Sequence, residues 1–428
     1  MDNQEWAIET LSIRAGYQPD AGTLAITVPI YQTVGYAFHD TDHAARLFNL
    51  DEPGNIYTRI MNPTTDVLEK RLAAMEGGIG AVAFASGMAA ITAAILNICR
   101  VGDEFIASTA LYGGTWTLFT STLADFGVRV RFITEDQLVD AEGFVNDRTR
   151  GVFVESIGNP AVNVMDLKAW AAFAHRHQLP LLVDNTFSTP YLERPLEYGA
   201  DIVIHSMTKW IGGHGASLGG IVVDGGRFDY NTEKFPQFSQ PDPSYHGFVF
   251  GEHPASYALR LRVKLLRDTG AALAPLNAFL MLVGLETLPV RMKAACESAR
   301  FLAEKLQQHP QVSWVSYPGL AQSPSNAAAK NYLRPGYFGT MLNFGVRGGR
   351  KNAEHVINHL TLWLLVANVG DVRSMAIHPA STTHQQLSPQ EQQLAGAHGD
   401  LIRLSVGLEN ADDLWHDLEH ALDSLDVD

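Results

Sequence analysis

Residues 179–206 read LPLLVDNTFSTPYLERPLEYGADIVIHS. Two apolar runs of strand length, LPLLVD and DIVIHS, each stop at a polar residue, and the segment between them is rich in turn formers. A short apolar run closed in this way is the pattern of a strand buried on both faces. The pattern repeats outward: AVAFA (81–85), FIAS (105–108), VRVRFI (128–133) and GVFVES (151–156) precede it, and GGIVVD (219–224) follows. A helical pattern at 63–76 precedes the first run, and others at 87–99 and 166–178 lie between the runs. The first of these has Asn62 as N-cap, Pro63 in its first turn, Leu68, Leu72 and Met75 on one face, and Gly77-Gly78 as its stop. Such alternation predicts βαβ units: a mostly parallel central sheet flanked by helices, with ligands expected at the carboxyl ends of its strands.

The flanks read differently. About sixty N-terminal residues carry Gly, Pro and aromatics without a sustained period, as in an arm that packs on something else. Residues 226–255, again rich in Pro, Gly and aromatics, fit a lid, a subunit contact or a solvated loop equally well. Helical stretches follow at 256–268 and 275–308, then strands at TMLNFGV (340–346) and DLIRLSVG (400–407). The last helix, ADDLWHDLEHALDSL, places apolar residues at 414, 415, 418, 422 and 425. The expected organisation is an arm over 1–62, a large α/β domain over 63–265 and a smaller α+β C-terminal domain over 266–428.

The composition narrows the function classes. Of the 428 residues, 46% are hydrophobic and 18% charged, which suits an ordinary globular protein with an ample core. A net charge of −15 opposes binding to nucleic acid or an anionic membrane and favours small-molecule chemistry. The two cysteines, Cys99 and Cys296, form no C-x-x-C or Cys/His cluster, so neither a disulfide framework nor a metal site is expected. The acidic start MDNQEWAIETLSIRAG does not resemble a signal peptide, and no apolar run is long enough to span a bilayer. A cytoplasmic location is the expectation by elimination.

Two motifs mislead. Gly78-Ile79-Gly80-Ala81-Val82-Ala83 matches a loose dinucleotide fingerprint, but it follows a helix and enters a strand, the reverse of the required context. Ser206-Met207-Thr208-Lys209 matches S-x-x-K, yet the S-D-N and K-T-G elements of serine acyl-enzymes are absent. Lys209 itself, beyond a strand end beside Met207, Trp210 and Ile211, sits where desolvation would lower its pKa and leave a nucleophilic amine. A lysine whose stem covers apolar surface is the ordinary alternative.

Other strand ends supply companions for such an amine. Pyridoxal phosphate (PLP) requires a Schiff-base lysine, an acid for its ring nitrogen, a phosphate cradle and often a stacked ring. Asp184 ends LPLLVD, Ser86-Gly87 opens a helix whose free amides suit a phosphate, Ser206 and Thr208 offer hydroxyls, and Tyr112 follows FIAS at the same edge. Taken singly, each also fits a turn, a cap or a core aromatic.

Together with VPIYQT, YTRIMNPTTDVLEKRLAAMEGG, SGMAA, LYGGT, VDNTFSTP, HSMTKWIGGHG, PDPSYHG, HPASTTH and IRLSVGLE, these residues resemble the Cys/Met-metabolism PLP-dependent enzymes over nearly the whole chain. The resemblance implies the type I PLP-dependent transferase fold, similar to aspartate aminotransferase. It implies PLP bound covalently to Lys209, with Asp184 on the ring nitrogen, Tyr112 stacked, and Ser86, Gly87, Met88, Ser206 and Thr208 around the phosphate. By position, Tyr57 and Arg59 would reach the cofactor phosphate of a neighbouring subunit in a homotetramer built from dimers with shared sites. Asn159 would lie near the ring hydroxyl, Arg403 would clamp the substrate α-carboxylate, and Ser374 would sit near that carboxylate. Tyr57 and Asn159 would also meet the substrate.

The most similar branch is that of the O-acetylhomoserine sulfhydrylases, which implies γ-replacement giving L-homocysteine and acetate from O-acetyl-L-homoserine and sulfide, in methionine biosynthesis. Arg373, where relatives that handle cystathionine more often carry glutamate, argues against recognition of a distal ammonium and for sulfide. The alternatives are methionine γ-lyase-like elimination, suggested by SGMAA, and O-succinylhomoserine sulfhydrylase or cystathionine γ-synthase activity. Outside the family, a serine acyltransferase using Ser206 and a non-catalytic binder are the rivals.

Overall fold

A computed structural model describes residues 6–383, 385, 390, 392 and 396–425. His384, the last residue of HPASTTH, lies outside them. Seven strands build the larger sheet: β1 (Gly80–Phe84), β2 (Glu104–Ser108), β3 (Arg129–Ile133), β4 (Thr149–Glu155), β5 (Leu181–Asp184), β6 (Ile202–Ser206) and β7 (Gly220–Asp224). Their order is β1-β7-β6-β5-β4-β2-β3, and every neighbouring pair is parallel except the two made by β7. Every residue of β2, β4, β5 and β7 is buried, which is why these strands read as continuous apolar runs.

Helix Pro63–Glu76 begins at Asn62, whose side chain accepts the Thr64 amide, and ends at Gly77 in the left-handed region (φ 80°). It covers one face of the sheet, and helix Gly87–Ile98 packs on the other. The predicted helix over 275–308 is two helices, Pro275–Glu286 and Leu288–Gln308. Pro289 has no amide hydrogen to offer the Leu285 carbonyl and its ring crowds that turn, so the chain leaves helical geometry at Thr287 (φ −106°, ψ 1°).

A second sheet, mainly antiparallel, contains β8 (Val312–Ser316), β9 (Met341–Val346), β10 (Leu364–Leu365), β11 (Met375–Ile377) and β12 (Leu401–Ser405), in the order β10-β11-β12-β9-β8. Its core includes Leu342, Phe344, Ile402, Leu404, Trp415 and Leu418, joined by Ala299, Leu302 and Leu306 of the long helix. Leu288, Met292 and Cys296 of that same helix pack instead with the larger sheet. We propose that the division between the two domains falls inside Leu288–Gln308, where the helix passes from one core to the other, rather than at 265/266.

Residues 226–255 pack against the larger domain, away from the cavity of this chain. Phe228, Tyr230, Phe235, Phe238 and Phe250 make an aromatic cluster with Tyr257, and no residue of this segment lines the main cavity. Both cysteines are buried and unpaired, and burial pushes both thiols well above their usual range. Among the described residues, no helix is long and apolar enough to cross a membrane, and no His/Cys/Asp/Glu group could hold a metal ion.

Candidate active site

The carboxyl ends of β4, β5 and β6 and the start of helix Gly87–Ile98 open into a cavity of about 430 Å³. It is lined by Ser86, Gly87, Met88, Tyr112, Asn159, Asp184, Ser206, Thr208, Lys209 and Arg403, so the fold gathers ten of the thirteen sequence-selected residues at one place. The site follows from topology: parallel strands deliver their last residues, and the turns after them, to a common edge.

Lys209 lies in the turn after β6, where its amide donates to the Ser206 carbonyl (3.2 Å). Its Nζ donates to Asn368 Oδ1 (2.5 Å) rather than to Ser206, so the serine-activating pair suggested by S-x-x-K is not formed. Burial, reinforced by the positive charge of Arg403, lowers the lysine pKa to about 8. Asp184 closes β5; its Oδ1 accepts both the Thr186 amide (3.0 Å) and the Thr186 hydroxyl (2.5 Å). Burial raises the Asp184 carboxyl above its ordinary range in spite of those hydrogen bonds. A carboxylate so placed gains most when a cation comes to face it.

At the other end of the cavity Ser86 caps its helix, its Oγ accepting the Ala89 amide (3.2 Å). The Gly87 and Met88 amides are left without intrahelical acceptors. Gly87 is required by close approach, since a Cβ there would stand 2.6 Å from the Ser206 Cβ. Thr208 exchanges hydrogen bonds with the Gly219 backbone, which folds the turn back over the end of β6. Helix-start amides, a desolvated amine and a buried carboxylate in one cavity are a donor set that fits PLP.

Arg403, on β12, brings the smaller sheet into the site. Its guanidinium donates to Asn159 Oδ1 (2.9 Å), and burial lowers its pKa to about 10, opposed by the nearby Tyr112 hydroxyl. A desolvated guanidinium with donors to spare is suited to a bidentate carboxylate. Tyr112 is half-exposed and follows β2; its amide donates to Glu155 Oε1 (2.7 Å). Glu155 ends β4 opposite Asp184 in the parallel ladder, and burial, followed by the Asp184 charge, raises its carboxyl well above the usual range.

Three of the selected residues lie elsewhere. Tyr57 and Arg59 are on the outside of this chain, with the Arg59 guanidinium 5.3 Å from the Tyr57 ring centre and bonded to the Arg267 carbonyl. Ser374 is fully buried and bonded to Glu409 (2.7 Å) and the Gly407 amide (2.8 Å), and it does not line the cavity. Its neighbour Arg373 donates to Asp371 and the His214 carbonyl and does not line the cavity of this chain. The segment that does reach the site is Ala367-Asn368-Val369. Sequence reading missed Asn368, Glu155 and Thr186. Glu155 and Thr186 had a usable signal, since Glu155 ends β4 and Thr186 lies two residues beyond β5, at the same sheet edge as Asp184 and Ser206.

The comparisons agree with this geometry. The Cys/Met metabolism PLP-dependent enzyme model matches residues 9–423. The chain is 49% identical to an O-acetyl-L-homoserine sulfhydrylase of Leptospira meyeri, over 97% of each chain, and 48% identical to a homocysteine synthase of Schizosaccharomyces pombe, over 97% of this chain and 98% of that one. A crystal structure from Campylobacter jejuni, described as an O-acetylhomoserine (thiol)-lyase with a pyridoxyl-lysine phosphate residue, superposes with a TM-score of 0.95 at 40% identity, covering 98% of this chain and all of that one. Fold, cavity and sequence relatives agree that the chain belongs to the Cys/Met metabolism PLP-dependent enzymes.

Proposed function

We propose that the protein is a PLP-dependent O-acetylhomoserine sulfhydrylase, replacing the acetate of O-acetyl-L-homoserine with sulfide at Cγ to give L-homocysteine. The relatives named above support this reading, and the observation that carries it is the charge inventory of the cavity. Among the described lining residues the only cations are Lys209 and Arg403, while Met88, Leu218, Ala367 and Val369 form neutral wall. Once Arg403 holds the α-carboxylate and a second copy's Arg59 is engaged by the cofactor phosphate, no separate cation remains for a distal carboxylate such as that of a succinyl group. Nor does an exposed anion await the ammonium of cysteine, because Glu155 is buried and biased toward its neutral form.

Bound PLP supplies an electron sink that makes protons at Cα and Cβ of the amino acid removable. The residues do the rest. Arg403, oriented by Asn159, fixes the α-carboxylate; Lys209, its pKa lowered to about 8 by burial, moves protons at Cα and Cβ; Asn368 directs the amine. Asp184 would face the ring nitrogen, Tyr112 would offer a ring face, and the amides of Gly87 and Met88 with Ser206 and Thr208 would take the phosphate. Acetate leaves as hydrosulfide takes its place, so the exchange at Cγ balances. Exposed Tyr57 and Arg59 would serve a second copy's site, which requires at least a dimer.

Steady-state assays with sulfide and either O-acetyl- or O-succinylhomoserine test the donor. A kcat/KM for the acetyl ester higher by at least roughly tenfold is expected; preference for the succinyl ester would overturn the charge argument. Arg403→Lys is expected to raise the KM for the amino acid by about 10- to 100-fold with a smaller change in kcat, because a point charge replaces a bidentate fork. Gly87→Ala should weaken PLP binding by roughly tenfold, since relief of the clash with Ser206 must displace the phosphate cradle.

A further inference from the structure

Beneath the cavity, on the opposite face of β5 and β6, lies a cluster of ionisable groups that the proposed reaction does not use. Alternation along the two strands sends Leu182, Ile202 and Ile204 toward helix Gly87–Ile98, and Val183 and Val203 toward helix Pro63–Glu76. His205 and Asn185 continue the second series, and Glu76 is the last residue of the helix that meets them. All three are 0% exposed.

Glu76 Oε1 stands 2.6 Å from His205 Nε2 and accepts a hydrogen bond from Asn185 Nδ2 (3.0 Å). Asn185 Nδ2 also donates to the Glu193 carbonyl (2.9 Å), and Glu193 Oε2 accepts from Ser188 (3.1 Å). His205 Nδ1 has no partner among the described residues. A carboxylate oxygen accepts, so Nε2 is the donor in the Glu76 contact, and Glu76 Oε2, like Nδ1, has no partner among the described residues.

One carboxylate oxygen therefore holds the ends of two strands. Asn185 follows Asp184, and His205 precedes Ser206, which opens the turn that carries Lys209. On the cavity face the same strand ends are tied by Thr186, whose Oγ1 accepts the Ser206 amide (2.8 Å) and donates to Asp184. The Thr186 tie and the Glu76 tie oppose one another across the sheet.

We propose that Glu76 is a positioning residue for the reaction centre: by accepting from both Asn185 and His205, its Oε1 fixes the spacing between Asp184 and the Ser206–Lys209 turn. The proposal rests on the reading that Asp184 and Lys209 hold the two ends of PLP's reactive system. Preorganised spacing of this kind matters because small misplacements of reacting groups cost large factors in rate.

The test compares Glu76→Gln, which keeps an oxygen able to accept both bonds, with Glu76→Met, which keeps length and apolar bulk but no comparable acceptor. Apoprotein is titrated with PLP, and the dissociation constant, the position of the visible band, apoprotein Tm, kcat and KM are recorded. Glu76→Met is expected to bind PLP at least roughly tenfold more weakly, with a displaced band and a fall in kcat larger than the change in KM. Glu76→Gln should stay within about threefold of wild type. A folded Glu76→Met protein with wild-type affinity, band and kcat would overturn the proposal, and so would equal damage from the two variants. Should Glu76→Met not fold, His205→Gln, which retains a side-chain N–H donor, and His205→Leu, which does not, carry the same comparison with the same expected order. Failure of the underlying reading is separately visible: wild-type protein would gain no PLP band, or Lys209→Ala would keep it.

Discussion

Lys209→Ala is expected to abolish covalent attachment of PLP and to lower turnover by at least about 10³-fold, with the fold intact. The side chain projects into the cavity from a turn whose backbone bonds do not depend on it, so its loss removes chemistry more than structure. The visible band of the lysine-linked cofactor should vanish, and far-ultraviolet circular dichroism should match wild type. The same residue sets a pH dependence. Only the neutral amine attacks the cofactor aldehyde, and burial lowers its pKa from 10.5 to about 8. The neutral fraction near pH 7 is thus on the order of 10²-fold larger than for an ordinary lysine. Capture of PLP by apoprotein should accelerate as pH rises through about 8 and level off above it. Stopped-flow absorbance checks this, and a rate that keeps rising toward pH 10.5 would show an unperturbed amine.

Asp184→Asn is expected to lower kcat by about 10²- to 10³-fold, corresponding to roughly 3–4 kcal/mol, the lower part of the range that accompanies removal of one partner of a buried ion pair. The amide keeps the shape of the carboxylate and can still accept from Thr186, so the turn is retained. It cannot hold a proton on the ring nitrogen, and the electron sink weakens. The loss should fall on kcat more than on KM, because the proposed partner of Asp184 is the cofactor ring nitrogen and that of Arg403 is the substrate carboxylate. Equal kcat in the two proteins would remove Asp184 from the mechanism.

The larger sheet was legible because β2, β4, β5 and β7 are buried throughout, and β4, β5 and β6 stop at Glu155, Asp184 and Ser206, polar residues that line the cavity. Asp184 and Ser206 were visible for that reason. The smaller sheet was less so: β8 contains exposed Ser313 amid Val312 and Trp314, and β10 and β11 are only two and three residues long, too short to show a period. The break at Thr287 had its signal in Pro289, but apolar periodicity on both sides concealed it. Within the site, local motifs found the residues near strand ends of one sheet. Asn368 escaped because its partner Lys209 is 159 residues away and the contact exists only once the two sheets are packed together. Arg373 and Ser374 show the converse: their place in a motif was readable, but the direction of their side chains was set by Asp371 and Glu409.

The central claim is replacement at Cγ, and one measurement addresses it directly. Purified holoenzyme is given O-acetylhomoserine with sulfide in one reaction and L-methionine alone in another, and homocysteine and 2-oxobutyrate are quantified in both. Homocysteine from the first reaction, formed in step with acetate and far faster than any 2-oxobutyrate from the second, is the predicted result. Predominant 2-oxobutyrate from methionine, with little homocysteine from the ester, would contradict the account and assign the cavity to elimination.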